Sequence, residues 1–146
     1  MKNITYTQDV ALVILKNCSS DARFFASVLS EIAKLGVDVD MISQTSPSGG
    51  FIDLCFTVTD SDVPKLLRLT AMLKKQQPSV IAKINGNNCK ISVSDEDMHR
   101  QPGYAADIFN KIASVNAEIR LVTTSETDIS VLVVNDYADA ILSALK

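Results

Sequence analysis

The sequence predicts an α+β fold made of two consecutive βαββαβ units, each an antiparallel sheet with its helices on one face. Three observations support this prediction. The chain has 146 residues, 47% of them hydrophobic, which is enough to bury a core as one globule or as two small domains packed together. Its halves come into register when one is shifted by about 80 positions, which indicates an internal repeat. Apolar residues recur at helical spacing in some segments and alternate with polar residues in others.

The clearest repeated segment is an amphipathic helix near the start of each half. A residue that tolerates a left-handed backbone follows each helix, Gly36 in the first half and Asn116 in the second. A second helix is predicted in each half, over residues 64–75 and 137–145. The aligned apolar positions of the repeated helix are Ala26, Val28, Leu29, Ile32, Ala33 and Leu35 in the first half, and Ala106, Ile108, Phe109, Ile112, Ala113 and Val115 in the second.

The remaining apolar segments have the alternation or the β-branched composition of strands. Residues 47–50 contain Pro and Gly and predict a flexible hairpin loop in the first half, longer than the turn over residues 125–127 in the second. The predicted strands cover residues 10–15, 37–41, 52–58 and 80–84 in the first unit, and residues 90–93, 119–121 and 129–134 in the second.

The second unit is one strand short, because its last predicted helix runs to the end of the sequence. Its sheet would keep an exposed edge. Residues 4–7 form a strand-like segment that precedes the first unit and has no place in it. We therefore expect this N-terminal strand to complete the second sheet. The expected domains are residues 9–86, and residues 88–146 together with strand 4–7.

Composition and charge argue against several classes of function. The net charge is −3 and the basic residues are scattered, so we expect no nucleic-acid partner. No apolar segment approaches the roughly 20 residues of a membrane span, so we expect no membrane partner and a cytoplasmic protein. The three widely separated cysteines fit neither a disulfide framework nor a zinc site, and we expect no metal and no cofactor. No pair of titratable residues is spaced as nucleophile and base, which argues against an enzyme.

Several segments carry a resemblance to a known family. Residues 101–109 (QPGYAADIF), 119–126 (IRLVTTSE) and 129–133 (ISVLV) closely resemble the second ACT domain of the aspartate kinase regulatory region. Residues 37–44 (VDVDMISQ) and 53–57 resemble the first. The resemblance covers essentially the whole chain and implies two ferredoxin-like ACT units, with the N-terminal strand lent to the second.

The resemblance also implies a function. Paired ACT units in this family bind lysine or threonine as feedback inhibitors, and the chain is similar to the free regulatory subunit that some bacteria make beside a full-length aspartate kinase. The implied partners are a small amino acid effector and either a second copy of the chain, in a homodimer, or a kinase chain. A stand-alone ACT protein without its enzyme is the alternative origin.

An amino acid effector carries a carboxylate and an ammonium, so its receptor needs N–H donors and oxygen acceptors. We expect the donors at the turn into the first helix of each unit, because free N–H groups and the helix dipole favour an anion there. We expect the acceptors on the second strand of each unit. The candidate ligand-binding residues are Ser19, Ser20, Asp21, Ala22, Asp38, Asp40 and Gln44 in the first unit, and His99, Pro102, Gly103, Tyr104 and Thr124 in the second.

Gln44 is the favoured contact, since the family often contacts its effector at that position; the alternative is a hydrogen bond to an edge strand or a dimer partner. The two helix starts differ. The second unit keeps the Pro102-Gly103 pair usual in the family, whereas the first has Ala22-Arg23. Gly103 has no Cβ and lets backbone approach a ligand closely.

Other candidates have simpler interpretations. Ser19 and Ser20 are more simply helix N-cap residues than ligand contacts. His99 is more simply a solvent-exposed residue than a catalyst or metal ligand. Residues 95–97 (Asp-Glu-Asp) are more simply a solvated turn than a calcium loop. Two functions stay open: an effector-binding regulator, which its ligand should stabilise, and a ligand-free structural subunit that docks on a kinase chain or on itself.

Overall fold

The computed structural model describes residues 2–146, and these form two units. The first unit is Ala11–Gly86, and the second unit joins Met1–Val10 to Asn87–Lys146. No helix among residues 2–146 has both the length and the hydrophobicity that crossing a bilayer requires. We retain residues 9–86, and residues 88–146 with strand 4–7, as the proposed limits of two folding domains.

The first unit has the predicted βαββαβ order. Its elements are the C-terminal part of β1 (Asn3–Ser19), α1 (Ala22–Lys34), β2 (Ile42–Gln44), β3 (Phe51–Thr59), α2 (Val63–Gln76) and the N-terminal part of β4 (Ile81–Ser94). The strands are neighbours in the order β2-β3-β1-β4, and β2 and β3 pair antiparallel with Ser43 opposite Cys55.

The core of the first unit is formed by the apolar stripes of α1 and α2 and by alternate residues of the sheet. The buried positions of α1 and α2 recur every three or four residues. Both segments form helices because this spacing gathers the apolar side chains on one face, which the sheet then covers. Each fully buried Leu or Ile contributes about 1.5–3 kcal/mol relative to exposure. Buried members of this core include Val13, Leu15, Val28, Ile32, Leu54, Phe56, Leu66, Leu69 and Leu73.

The second unit repeats this order with a different last strand. Its elements besides the N-terminal part of β1 are the C-terminal part of β4, α3 (Tyr104–Ala113), β5 (Ile119–Thr124), β6 (Asp128–Val134) and α4 (Ala138–Leu145). The strands are neighbours in the order β5-β6-β4-β1, and the antiparallel register of β4 and β6 places Ile91 opposite Val131. The N-terminal part of β1 thus takes the place of the missing strand, which confirms the predicted fold class.

The N-terminal strand is attached to the second unit by side chains as well as by the sheet. Ile4 packs against the buried core of that unit. The backbone of Thr7 hydrogen-bonds to the Cys89 sulfur. Burial raises the pKa of that thiol above its ordinary value, and the hydrogen bond from Thr7 opposes part of this rise. Lys2 Nζ donates to Leu145 O at 2.6 Å. The strand is therefore part of the second unit and not a tail.

The prediction of a strand over residues 37–41 was wrong, because the regular strand β2 begins only at Ile42. The alternation itself is real, since Val37 and Met41 are buried. Thr57 interrupts the ladder: its Oγ1 accepts from Met41 N at 2.9 Å, while its carbonyl accepts from Asp40 N at 3.1 Å. Two residues of one segment then face one residue of β3, which resembles a bulge and disrupts regular pairing.

Two pairs of predicted strands are single long strands. Residues 4–7 and 10–15 both belong to β1, and residues 80–84 and 90–93 fall almost entirely within β4. Between the two predicted segments each strand passes through a residue with positive φ, Asp9 at 57° in β1 and Asn87 at 62° in β4, and β1 has a second such residue near its end, Asn17 at 58°. Asp and Asn tolerate this conformation better than other non-glycine residues, so the strand continues through an irregularity that looks like a break in the sequence.

Candidate functional site

The start of α1 and the end of β2 flank an open cavity of about 370 Å³, called here the first-unit cavity. The predicted residues Ser20, Ala22 and Gln44 line it. Its apolar lining was not predicted, although two of these residues lie three and four positions after Ala22 and so share its helix face. The missed residues are Phe25, Ala26 and Ile52.

Asp21 caps α1 and occupies one of the first backbone N–H donors of the helix. Arg23 N donates to Asp21 Oδ1 at 2.9 Å, and Arg23 Nη2 donates to Asp21 Oδ2 at 3.0 Å. The bonds from the Arg23 side chain and then its backbone hold the pKa of Asp21 below its ordinary value. The prediction of a serine N-cap was wrong, since the Ser19 hydroxyl lies too early and accepts from Asp21 N instead.

The acceptors predicted on the second strand are not brought together. Gln44 is exposed at the end of β2, and its Nε2 donates to Thr45 O at 3.3 Å. Asp38 and Asp40 do not line the first-unit cavity. An extended chain rises about 3.3 Å per residue, so Asp38 lies on the order of 20 Å along the chain from Gln44. Asp40 N is used to pair with Thr57 O.

The corresponding position in the second unit holds a cavity of about 310 Å³, called here the second-unit cavity. The predicted residues His99, Gly103, Tyr104 and Thr124 line it, while Pro102 does not, although both its neighbours do. Two of the missed residues directly follow Thr124 in the β5–β6 turn, so their position next to a predicted residue could have identified them as lining residues. The missed residues are Met98, Gln101, Ala105, Ser125, Glu126 and Ile129.

The start of α3 differs from that of α1 because no side chain among residues 2–146 caps it. Its N-cap is Gly103, at φ 88°, a left-handed conformation that favours glycine. Tyr104 N donates to Gln101 O at 3.1 Å. The next residue, Ala105, lines the cavity at the positive end of the helix dipole. This start of α3 can therefore receive a ligand anion.

Tyr104 is held in the cavity wall by the turn over residues 95–97. Its hydroxyl donates to Asp95 Oδ2 at 3.0 Å, and Asp97 N donates to Asp95 Oδ1 at 3.0 Å. Burial and then the Asp95 carboxylate raise the pKa of Tyr104, while the Asp97 N–H chiefly lowers the pKa of Asp95. Within the part of the chain that the structure describes, no group of three His, Cys, Asp or Glu could hold a metal ion.

The two cavities differ in the chemistry they offer to an amino acid. The second-unit cavity places an uncapped helix start near Glu126, with the hydroxyls of Thr124 and Ser125 beside it. It can pair with both the carboxylate and the ammonium of a ligand. The first-unit cavity offers only the hydroxyl of Ser20 and the amide of Gln44 as polar side-chain groups among its described lining residues.

The comparisons with known proteins agree with one another on the family that this chain resembles. A family model described as an ACT domain matches residues 91–146. The aspartokinase of Corynebacterium efficiens is 30% identical over 122 residues, which cover 82% of this chain and 29% of that protein. The chain spans about a third of the length of the curated relatives that it matches, 35%, 29% and 35% for three aspartate kinases.

Solved structures match over almost the whole chain. The regulatory subunit of aspartate kinase from Thermus thermophilus, in its ligand-free form, has a TM-score of 0.87 and 27% identity, covering 97% of this chain and 93% of that chain. Aspartokinase III of E. coli in complex with lysine and aspartate has a TM-score of 0.71 and 16% identity, covering 97% of this chain and 31% of that one, a likeness of fold alone.

Proposed function

Because the chain belongs to the ACT domain family, in the paired form found in the regulatory region of aspartate kinases, we propose that it senses a small amino acid and transmits that signal to a kinase chain. An ACT domain is regulatory and not catalytic. Effector binding would shift the equilibrium between two arrangements of the regulated assembly. The size of the shift is set by the difference in the effector's affinity for the two arrangements.

The observation that carries the proposal is the second-unit cavity. The effector carboxylate would lie at the start of α3, near Gly103 and Ala105, where N–H groups and the helix dipole favour an anion. Its ammonium would lie near the Glu126 carboxylate. Met98 and Ile129, both buried, offer an apolar surface for the rest of the side chain. The arrangement thus fits each part of an amino acid.

The effector class comes from the family. Lysine and threonine are the first candidates because the paired ACT units of aspartate kinases respond to them, and one structure with this fold was solved in complex with lysine and aspartate. Methionine is a third candidate, since its unbranched apolar side chain would suit the apolar part of the cavity.

A thermal-shift titration with L-lysine, L-threonine and L-methionine at millimolar concentration tests the proposal. A bound effector should raise the melting temperature in a concentration-dependent way, since at 100 times its Kd it stabilises by about 2.7 kcal/mol. Glu126→Gln keeps the size of the side chain and removes its charge, so it should abolish the rise. Glu118→Gln is the matched control, because Glu118 is exposed and lines neither cavity.

The ligand-free structural subunit is the second candidate function. It would be supported if none of the three amino acids moved the melting temperature of a folded protein. It also predicts that the chain binds a kinase chain equally well with and without amino acids.

We also propose that the chain acts as a homodimer or in complex with a kinase chain, in the cytoplasm. The exposed edge strand β2 supports this, with Ile42 at 41% exposure, and Phe51 at the start of the neighbouring strand β3 is 44% exposed. Sedimentation of the purified chain should give the mass of a dimer, and Ile42→Lys should lower it. Leu67→Lys, at an exposed position on α2, is the control. Fractionation of producing cells tests the location.

A further inference from the structure

The first turn of the helix is the main difference between the two cavities. Each cavity lies where the first helix of its unit begins, close to the end of an edge strand. In the second unit the helix start carries no side-chain cap, and in the first unit it carries a carboxylate. We infer that Asp21 excludes amino acid carboxylates from the first-unit cavity, so that each chain holds one effector, in the second-unit cavity.

The geometry at α1 supports this inference directly. Asp21 Oδ1 accepts the backbone N–H of Arg23 at 2.9 Å, a donor that a ligand carboxylate would need. The Arg23 side chain could otherwise attract the ligand carboxylate, but its Nε and Nη2 donate to the same Asp21 carboxylate, at 3.3 Å and 3.0 Å. Asp21 therefore occupies both the backbone N–H and the side-chain cation of Arg23.

Repulsion adds to this occupation. A second carboxylate about 4 Å from Asp21 would lose about a factor of five to ten in affinity, even with the high dielectric constant of water. The first-unit cavity also has no acidic side chain among its described lining residues to pair with an ammonium, whereas Glu126 lines the second-unit cavity. The inference rests on the proposed function, because it takes an amino acid as the effector.

The test follows backbone amides of the full chain by ¹⁵N NMR during titration with L-lysine and with L-threonine. In the unmodified protein, the Ala105 amide should shift and saturate, and the Arg23 amide should stay in place. Asp21→Gly vacates the position while keeping a residue that is acceptable at an N-cap. In this variant the Arg23 amide should shift with a saturating curve, at an affinity at least about tenfold higher than in the unmodified protein.

Asp21→Asn and Asp38→Asn form a matched pair for the electrostatic part. Both remove one negative charge from an exposed residue of the first unit, but Asp21 lies between the lining residues Ser20 and Ala22, whereas neither Asp38 nor its chain neighbours line the cavity. Asp21→Asn should give part of the gain in effector affinity measured at the Arg23 amide, and Asp38→Asn should give no gain there. The inference is overturned if the Arg23 and Ala105 amides of the unmodified protein saturate together, or if neither Asp21 variant gains binding at Arg23.

The outcomes separate this inference from the proposed function. An unmodified protein whose Ala105 amide never shifts contradicts amino acid sensing in the second-unit cavity. A saturating shift at Arg23 in Asp21→Gly would still support the role of Asp21. Asp21→Asn keeps an N-cap side chain, so it remains informative if Asp21→Gly proves too unstable to study.

Discussion

Tyr104 links the wall of the second-unit cavity to the turn that precedes it. Its hydroxyl donates to Asp95 at 3.0 Å, and that carboxylate also accepts from the backbone of Asp97. The pKa of Asp95 is therefore below its ordinary value, chiefly because of the Asp97 N–H and further because of Tyr104. A group whose pKa is lower in the folded than in the unfolded protein stabilises the fold above its unfolded pKa, and this stabilisation disappears as pH falls through the folded pKa.

We predict that Tyr104→Phe raises the pKa of Asp95 toward its ordinary value, because the hydrogen bond from the Tyr104 hydroxyl is lost. The acid-side loss of stability between pH 7 and about pH 3 should then become smaller. NMR titration of the Asp95 carboxyl carbon, with urea unfolding at several pH values, measures both effects. Tyr6→Phe, at a 58% exposed position, is the control. Identical Asp95 titrations in Tyr104→Phe and the parent would contradict the prediction.

The ends of α1 and α3 share a feature of the internal repeat, a residue with a left-handed backbone. Gly36 follows α1 with φ 72°, and Asn116 follows α3 with φ 55°. This confirms the prediction that both positions need a left-handed backbone. A Cβ on Gly36 would meet nothing within 4 Å, so the cost of a larger residue there comes from backbone conformation alone.

We predict that Gly36→Asn destabilises the chain less than Gly36→Val. Asn tolerates the left-handed conformation, whereas a β-branched residue is strained there, at a cost of about 1–2 kcal/mol. Urea unfolding of both variants measures the difference. The reciprocal change Asn116→Gly should have an effect below about 1 kcal/mol, since Gly adopts this conformation readily. Equal stability of the Asn and Val variants would show that Gly36 is not required for its backbone conformation.

Helices were easier to predict than strands in this chain, for reasons visible in single elements. Residues 64–75 became α2 over Val63–Gln76, because an amphipathic stripe specifies a helix locally. Residues 37–41 failed as a strand because a partner far along the chain, Thr57, takes the backbone bonds of Asp40 and Met41. A strand depends on hydrogen bonds to neighbouring strands, and its own residues do not specify which segments those neighbours are.

At the scale of the whole molecule, the N-terminal strand determines whether the second unit is complete. Ile4 packs against the core of that unit, and the Thr7 backbone bonds to the Cys89 sulfur. Deletion of residues 2–8 should therefore expose the edge of β4 in the second unit and leave part of its core uncovered.

We predict that Ile4→Ala destabilises the second unit by about 1–3 kcal/mol, since Ile4 is only partly buried and a fully buried Ile→Ala costs 2–5 kcal/mol. Hydrogen exchange should rise in residues 87–146 and change less in residues 11–86. Tyr6→Ala is the control, because Tyr6 lies on the same strand and is mostly exposed. A rise confined to residues 11–86 would refute the assignment of the strand.

The candidate site was predictable in part. The predicted residues at the start of α3, Gly103 and Tyr104, and Thr124 at the end of β5 do line the second-unit cavity. Asp38 and Asp40 do not line the first-unit cavity, because extended backbone carries them away from Gln44.

The sequence by itself determined the repeat, the order of the helices and strands and the left-handed positions after α1 and α3, because periodicity and glycine preference are local properties. Only the tertiary structure decided that the turn at Ser125 and Glu126 lies beside the start of α3. The physical reason is that the meeting of distant turns depends on strand pairing, and residue spacing along the chain does not specify which elements pair.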